Sequence, residues 1–244
     1  MPTITIYVTK ELKPVEEIIK SINENGKEEK EWFSATRNKN FKNEIIISYF
    51  FEESIEEHLK NLLEEDELEE VVSILKQNGN GKVIKKILCF FNFKTGVLEV
   101  YRGADKITER LVEKLSRITG MKFSPLKLSP ENLEEIYKEH SLEVRQAMFK
   151  NVEGLFYQIL RGNNLETNRK FLEYISKFKN CLRVISIRPA IKFLNGGKYQ
   201  VTINGDKGTV KFSSLPGFKW RPRFEIRQII QMLIGAKNGS LLRY

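Results

Sequence analysis

The segment GFKWRPRFEIRQ, residues 217–228, carries the residue types best suited to chemistry with an anion. Four of its side chains are cationic, one is acidic and three are aromatic. Arginine can grip a phosphate through two parallel hydrogen bonds, and tryptophan and phenylalanine offer flat surfaces on which bases stack. Pro216 and Pro222 stiffen the segment, so ordering it on a ligand costs less entropy. The composition favours a surface that holds a polyanion; the alternatives are a solvated loop and aromatic rings that pack beneath it.

Further cations lie on the predicted strands that precede this segment. The stretches LRVISIRPAIKF and KYQVTINGDKGTVKF place lysine and arginine between apolar residues. The sequence therefore predicts a nucleic-acid-binding surface, with DNA favoured over RNA and phosphates as the main contacts. Its candidate residues are Arg183, Arg188, Lys192, Lys198, Lys207, Lys211, Lys219, Trp220, Arg221, Arg223 and Arg227.

Positive charge is concentrated in the last hundred residues. The chain has a net charge of +9. Residues 145–244 hold 19 lysines and arginines against five acidic residues, a net of +14, and the first 144 residues carry a net of −5. Such asymmetry is typical of proteins that bind nucleic acid or another anionic surface. The alternative is a solvated basic surface. The acidic N-terminal part is a candidate protein-contact surface that also repels DNA.

Motifs for catalysis and for metal binding are absent from the sequence. The two histidines, His58 and His140, have no cysteine or second histidine at metal-ligand spacing. No phosphate-binding glycine loop and no nucleophile elbow occur. We therefore expect a protein that is not an enzyme and needs no cofactor or metal.

The main alternative to nucleic-acid binding is a protein–protein interaction subunit that docks on an acidic partner. A nuclease or an RNA-processing enzyme is kept as a third alternative because of the charge.

Composition indicates a globular, intracellular protein. The chain has 244 residues, of which 41% are hydrophobic and 30% charged. No apolar run approaches the roughly 20 residues of a membrane span, and the first residues do not resemble a signal peptide. Cys89 and Cys181 each lie in an apolar stretch, which favours buried, reduced thiols. We expect a cytoplasmic protein with no membrane partner.

The first half of the chain alternates strands and helices. Alternation predicts strands over 3–9 and 43–51, and a short helix follows Pro14. A hairpin with Gly96 in its turn leads into a helix that ends at Gly120. Residues 53–81 form one or two predicted helices, whose buried positions are Ile55, Leu59, Leu62, Leu63, Leu68, Val71, Val72 and Leu75.

The second half is predicted to be helical in the middle and stranded at the end. A helix begins with Ser129 as N-cap and Pro130 at its first position, and residues 142–162 and 165–178 show helical periodicity. The predicted core stripe of the middle helices is Ala147, Met148, Val152, Leu155, Phe156, Ile159 and Leu160. The cations beside it either line a groove or only cover the helices: Arg145, Lys150, Arg161, Arg169 and Lys170.

The predicted fold class is α+β, with two lobes that each pack helices on an antiparallel sheet. An acidic lobe covers 1–128, a helical middle covers 129–180, and a basic sheet with a C-terminal helix covers 181–244. The final helix is predicted over RFEIRQIIQMLIGA.

The segment 87–123, which contains CFFNFKTGVLEVYRGADKITERLVEKLSRITG, resembles half of the TATA-box-binding-protein fold. In that family a strand turns back into a second strand and passes directly into a helix, and Phe93, Gly96, Gly103 and Ala104 stand in similar places here. A second block of strands plus a helix follows at 181–236. The resemblance implies a curved antiparallel sheet whose concave face lies on a duplex minor groove. It transfers no base-contacting residue, because those positions are not matched.

Overall fold

The computed structural model describes residues 3–60, 62–79, 81–191, 199–213 and 221–239. The chain folds into two compact units. The N-terminal unit consists of Thr9–Val100 and Lys106–Phe123. The C-terminal unit consists of Met1–Val8, Tyr101–Asp105 and Ser124–Tyr244.

Strands and helices are interspersed along the described chain. The strands are β1 (Thr3–Val8), β2 (Glu31–Arg37), β3 (Glu44–Ser54), β4 (Lys82–Asn92), β5 (Val97–Val100), β6 (Ser124–Pro125), β7 (Ser141–Val152), β8 (Leu155–Arg161), β9 (Leu182–Pro189), β10 (Val201–Asn204) and β11 (Thr209–Phe212). The helices are α1 (Val15–Asn25), α2 (Ile55–Leu59), α3 (Glu65–Gln77), α4 (Lys106–Thr119), α5 (Pro130–Glu139), α6 (Arg169–Phe178) and α7 (Arg223–Asn238). The predicted α+β class is confirmed.

The N-terminal unit contains an antiparallel meander in the order β2–β3–β4–β5. Helix α1 packs on β2 and on α4. The cross-strand register lines up one row of fully or almost fully buried side chains, which is the core of the meander: Ala35, Ile47, Cys89 and Val100. The predicted hairpin is present, with Gly96 at φ +69°, and α4 ends before Gly120 at φ +66°, as expected for a left-handed helix stop.

The prediction for 53–81 is right about two helices but wrong about most of their buried positions. Of the eight apolar residues expected inside, only Ile55 and Val72 are buried, and Leu62 is 68% exposed. The reason is that α3 packs mainly on α2. Helix α2 has only five residues, so it covers only a small part of the α3 surface. Strand β2 was not predicted, because the five charged residues in 27–31 mask the alternation that places Phe33 and Ala35 inward.

The C-terminal unit contains an antiparallel sheet in the order β1–β11–β10–β9–β7–β8, with β6 paired to β1. One face of this sheet is apolar and buried, and the register aligns five of its side chains in a single row: Ile4, Val210, Ile203, Ile185 and Ala147. Phe149 lies on this face and contacts Tyr174 of α6, and Phe171 of α6 contacts Tyr137 of α5. Helices α5 and α6 therefore cover the apolar face.

Helix α5 begins as its sequence predicts. The Ser129 hydroxyl accepts the Asn132 N–H, and the Asn132 side chain accepts the Ser129 N–H, which satisfies two amide groups at the helix start. Pro130 occupies the first turn. His140 ends the helix as its C-cap. The predicted C-terminal helix is also present, as α7.

The helices predicted over 142–162 are wrong, because these residues form the hairpin β7–β8. Asn151, Glu153 and Gly154 adopt positive φ and reverse the chain between the strands. The predicted core stripe is divided between the two faces of the hairpin. Ala147 and Val152 are buried, whereas Leu155 is 52% and Phe156 87% exposed.

None of the described helices is both long enough and apolar enough to cross a bilayer. Cys89 is buried, as predicted, but Cys181 is only half-buried, and both thiols are free.

Candidate nucleic-acid interface

A row of polar side chains crosses the sheet of the C-terminal unit on the face opposite to α5 and α6. Cross-strand pairing aligns six residues in this row: Thr3, Lys211, Thr202, Ser186, Gln146 and Arg161. Side-chain contacts confirm that neighbours share this face. The hydroxyls of Ser186 and Thr202 are 2.5 Å apart, and Arg161 Nε donates to Gln146 Oε1 at 3.0 Å. We call this surface the polar sheet face.

Two more cations belong to the polar sheet face. Arg188 lies two residues beyond Ser186 on β9 and therefore points to the same side. Lys150 lies on the side of Gln146, four residues along β7, and is paired across the strands with Tyr157. Tyr157 is 61% exposed, so an aromatic surface accompanies these cations.

The carboxylates near this face are already engaged within the chain. Glu143 stands opposite Arg188, but it is buried, pairs with Arg145 at 2.8 Å and accepts the Asn164 N–H. Asp206 pairs with Lys150 at 2.6 Å. Lys211 and Arg161 are exposed and Arg188 is half-exposed, and none of these three forms an ion pair with another described residue. Three cations of the polar sheet face are thus available to an external anion.

A depression of about 410 Å³ lies at the start of α5 and is lined by Lys127, Arg183 and Lys237, together with Asp206. Arg183 is the extra residue of a β-bulge, because Met148 and Phe149 pair with Val184 and Leu182. Its guanidinium donates to the carbonyls of Asn180 and Leu182 at 2.7 and 2.8 Å and pairs with Asp206 at 3.3 Å. Arg183 therefore stabilises the bulge, and the exposed Lys127 and Lys237 provide the accessible charge of the depression.

Lys207 lies in the turn between β10 and β11, where its backbone N–H donates to Asn204 Oδ1 and its side chain is exposed. The same turn contains Asp206, whose carboxylate pairs with Arg183 at the depression and with Lys150 on the polar sheet face. Lys207 therefore extends the same positively charged surface.

Arg221, predicted to contact an anionic partner, is instead buried, and its side chain is 7% exposed. Its guanidinium lies 4.2 Å from the centre of the Tyr199 ring, pairs with Glu225 at 3.2 Å and donates to the Ser213 carbonyl. A cation enclosed by these groups cannot reach a phosphate. The expectation for Arg221 is corrected: it is a structural residue that ties α7 to the sheet.

Arg223 and Arg227 lie in the first half of α7 and are half-buried. Arg223 donates to the Tyr101 hydroxyl at 3.3 Å, and Arg227 also has contacts within the chain. Neither residue is aligned with the polar sheet face by strand pairing.

Four other predicted site residues lie outside the described part of the chain: Lys192, Lys198, Lys219 and Trp220.

The polar sheet face thus contains Lys211 and Arg188 from the predicted set, and it adds Arg161, Lys150 and Tyr157. The sequence had placed these last three on a helix. The signal that could have found them is the pair Asn151 and Gly154, since asparagine and glycine readily adopt positive φ in a hairpin turn.

Within the described residues, no three histidine, cysteine, aspartate or glutamate side chains are grouped as metal ligands would be. His58 lies on α2, 3.7 Å from Glu53, and His140 is a helix cap.

No protein-family model matches the chain, and no curated protein sequence matches it. The resemblance to the TATA-box-binding-protein family stays a prediction. The geometry of the polar sheet face therefore carries the functional interpretation.

Proposed function

We propose that the chain binds nucleic acid, DNA in preference to RNA, through the polar sheet face, and that it is not an enzyme. The observation that carries this proposal is the alignment of Lys211 and Arg161 in one cross-strand row, in which they are the two cations. Four inter-strand steps of about 4.8 Å separate them, roughly 19 Å in all. The major groove of B-DNA is about 12 Å wide, so the two long side chains can reach phosphates on both of its sides.

Two positions of the row, on either side of the buried Ser186, suit sugar and base contacts. Thr202 and Gln146 are half-exposed and uncharged, and they lie between the two cations. Glutamine can pair with adenine through two hydrogen bonds, and hydroxyl groups contact sugars and phosphates. Tyr157 adds a surface on which an unpaired base stacks. In this proposal the cations attract the phosphates and provide the affinity for nucleic acid. The uncharged side chains contact sugars and bases and fix the orientation of the nucleic acid on the sheet.

Acidic residues of the N-terminal unit support an orienting role for that part of the chain. The stretch around the start of α3 exposes six carboxylates: Glu64, Glu65, Asp66, Glu67, Glu69 and Glu70. Such a cluster repels a phosphate backbone, so it directs DNA to the C-terminal unit. We propose the same cluster as the contact surface for a protein partner.

The test compares two variants with the same change in net charge. The interface variant combines Lys211→Gln, Arg188→Gln and Arg161→Gln. The control variant combines Lys39→Gln, Lys42→Gln and Lys94→Gln, three exposed lysines of the N-terminal unit. Fluorescence anisotropy is measured at ~50 mM salt with a labelled duplex of about 20 base pairs, its single strand and the matching RNA duplex. We expect the interface variant to lose about tenfold or more in affinity and the control variant to lose about twofold or less.

Two results would contradict the proposal: no detectable binding by the wild type at ~50 mM salt, or equal losses in the two variants. A partner that the chain retains from lysate after nuclease treatment, without oligonucleotide binding, would instead identify the interaction subunit that docks on an acidic protein. Metal-dependent cleavage of the labelled oligonucleotide would restore the enzyme alternative.

A further inference from the structure

Strand β8 forms the edge of the described C-terminal sheet and pairs only with β7. It begins with three large side chains that are exposed: Leu155 by 52%, Phe156 by 87% and Tyr157 by 61%. Proteins usually protect an edge strand with charge, proline or a covering element. Strand β8 carries a single charge, Arg161, and no proline. An apolar, unprotected edge of seven residues is a template for a further strand.

The backbone of β8 presents alternate residues to that edge. The Gly162 N–H donates to the Arg145 carbonyl at 3.1 Å, which fixes the hydrogen-bonding phase of the hairpin. With the observed register, Leu160 and Gln158 direct their amide groups toward β7. Tyr157, Ile159 and Arg161 therefore direct theirs away from the sheet. The Gln158 side chain donates to the Ile159 carbonyl at 3.4 Å, as expected for a carbonyl that no strand faces.

We propose that two copies of this chain form a two-fold symmetric dimer through antiparallel pairing of β8 with β8. We place the two-fold axis at Gln158. Tyr157 then stands opposite Ile159 of the second copy, and Leu155 stands opposite its Arg161. This register pairs the residues whose backbone groups are directed away from β7, so they can hydrogen-bond to each other. The same register places Phe156 opposite Leu160 of the second copy on the other face. Each exposed aromatic ring thus meets an aliphatic side chain, a favourable cross-strand pair.

The charge of β8 permits pairing with a second copy and selects the antiparallel direction. A parallel pair in register would place the two Arg161 guanidinium groups side by side. In the antiparallel register each Arg161 lies opposite Leu155 of the other copy, six residues or about 20 Å from the other arginine. This distance is more than twice the screening length at physiological salt, so the two charges do not oppose association.

The exposed area is consistent with a dimer of moderate affinity. With about 200 Å² for an aromatic side chain, Phe156 and Tyr157 together expose about 300 Å² per copy. A standard interface buries about 800 Å² per partner. The backbone of β8 and its half-exposed side chains add to the aromatic contribution. We expect a dissociation constant on the order of micromolar.

Dimerisation would extend the polar sheet face across the new strand pair. Tyr157 and Arg161 of each copy lie on that side, so the two faces would become one continuous surface. The dimer inference itself rests on β8 alone and is tested without nucleic acid.

The first test is sedimentation velocity of the full chain between about 0.2 and 200 µM. The wild type is expected to shift toward dimer across this range, which brackets a micromolar dissociation constant. Phe156→Lys should remain monomeric at all concentrations. Phe156 is 87% exposed, so the substitution leaves the core unchanged, and circular dichroism verifies the fold.

The second test is disulfide formation at the symmetry axis. In a Cys181→Ser background, Gln158→Cys places two thiols in a non-hydrogen-bonded cross-strand pair, with Cα atoms about 4.5 Å apart. Mild oxidation should convert this variant to a covalent dimer, whereas Thr95→Cys, at an exposed turn of the N-terminal unit, should stay monomeric. A wild type that remains monomeric up to about 200 µM, or equal cross-linking of the two cysteine variants, would overturn the proposal.

Discussion

The guanidinium of Arg221 lies 3.2 Å from the carboxylate of Glu225, and both side chains are almost completely buried. Tyr199 covers the guanidinium at 4.2 Å. Arg169 and Glu173 form an ion pair with the same i,i+4 spacing at 3.0 Å, but the Arg169 side chain is 94% exposed. The chain thus contains two chemically identical pairs in opposite environments.

We predict that Arg221→Ala destabilises the protein far more than Arg169→Ala. Removal of one partner from a buried pair leaves an uncompensated charge and costs about 3–5 kcal/mol. Loss of an exposed helical pair costs about 0.5 kcal/mol or less. The free energy of unfolding, measured by urea denaturation, provides the comparison.

The double variant Arg221→Met/Glu225→Leu separates charge burial from packing. Because it leaves no unpaired charge, we expect it to be more stable than Arg221→Ala. Similar destabilisation by Arg221→Ala and Arg169→Ala would show that the buried pair has no special role.

A second prediction concerns the salt dependence of DNA binding. If Lys211, Arg188 and Arg161 each neutralise a phosphate, each single glutamine substitution lowers the slope of log affinity against log salt by about 1. The triple variant should lower it by about 3. Lys94→Gln should leave the slope unchanged. Titrations between about 50 and 200 mM salt give the slopes, and a slope unaltered by the three substitutions would exclude these residues from phosphate contact.

The hairpin β7–β8 shows why part of the fold was not predictable from the sequence. Its residues include helix formers such as Ala147 and Met148, and its apolar spacing also fits a helix. The strand arrangement prevails because β9 pairs with β7 through contacts remote in sequence, which no local pattern contains. Elements specified by local signals were predicted correctly, as the Ser129 capping box and the Gly96 turn show.

The candidate site was predictable in its charge but not in its arrangement. The sequence identified a cationic half and, within it, Lys211 and Arg188. It favoured Arg221 even more strongly, as part of the densest cationic cluster, because charge and spacing do not reveal that Tyr199 and Glu225 enclose this side chain. It assigned Arg161 to a helix, so the row that Arg161 completes was visible only after strand pairing was known.

A third prediction concerns acid stability of the N-terminal unit. Burial tends to raise the pKa of Glu31, but hydrogen bonds from Lys114 and Tyr49 and the charge of Arg110 outweigh it and hold the pKa below its ordinary value of about 4.5. The lowered pKa of Glu31 contributes stability that is present above about pH 4.5 and is lost as the pH falls through the value in the folded protein.

We therefore expect Glu31→Gln to reduce the free energy of unfolding at pH 7. The difference in free energy of unfolding between this variant and the wild type should become smaller below about pH 4. Glu24→Gln, at an exposed position of α1, serves as the control and should have little effect at either pH. Urea denaturation at about pH 7 and about pH 3 measures both variants. A difference for Glu31→Gln that is as large under acid as at neutral pH would contradict the electrostatic origin of the stabilisation.

The last prediction compares two glycines with nearly the same backbone conformation. Gly79 and Gly96 have φ values of +77° and +69°, which are strained for any L-residue with a side chain. A Cβ at Gly79 meets nothing within 4 Å, whereas a Cβ at Gly96 would lie 2.1 Å from the Thr9 carbonyl oxygen. The Gly96 carbonyl also accepts the Thr9 N–H at 2.9 Å, so the two backbones cannot separate without loss of that bond.

Gly79→Ala should thus cost about 1–2 kcal/mol from backbone strain alone. Gly96→Ala should cost clearly more, because the clash with Thr9 adds to the same strain. Thermal and urea denaturation of the two variants measure the difference directly. Equal destabilisation would mean that the turn moves away from Thr9 at no cost, and that the contact between Thr9 and the β4–β5 turn does not hold the hairpin in place.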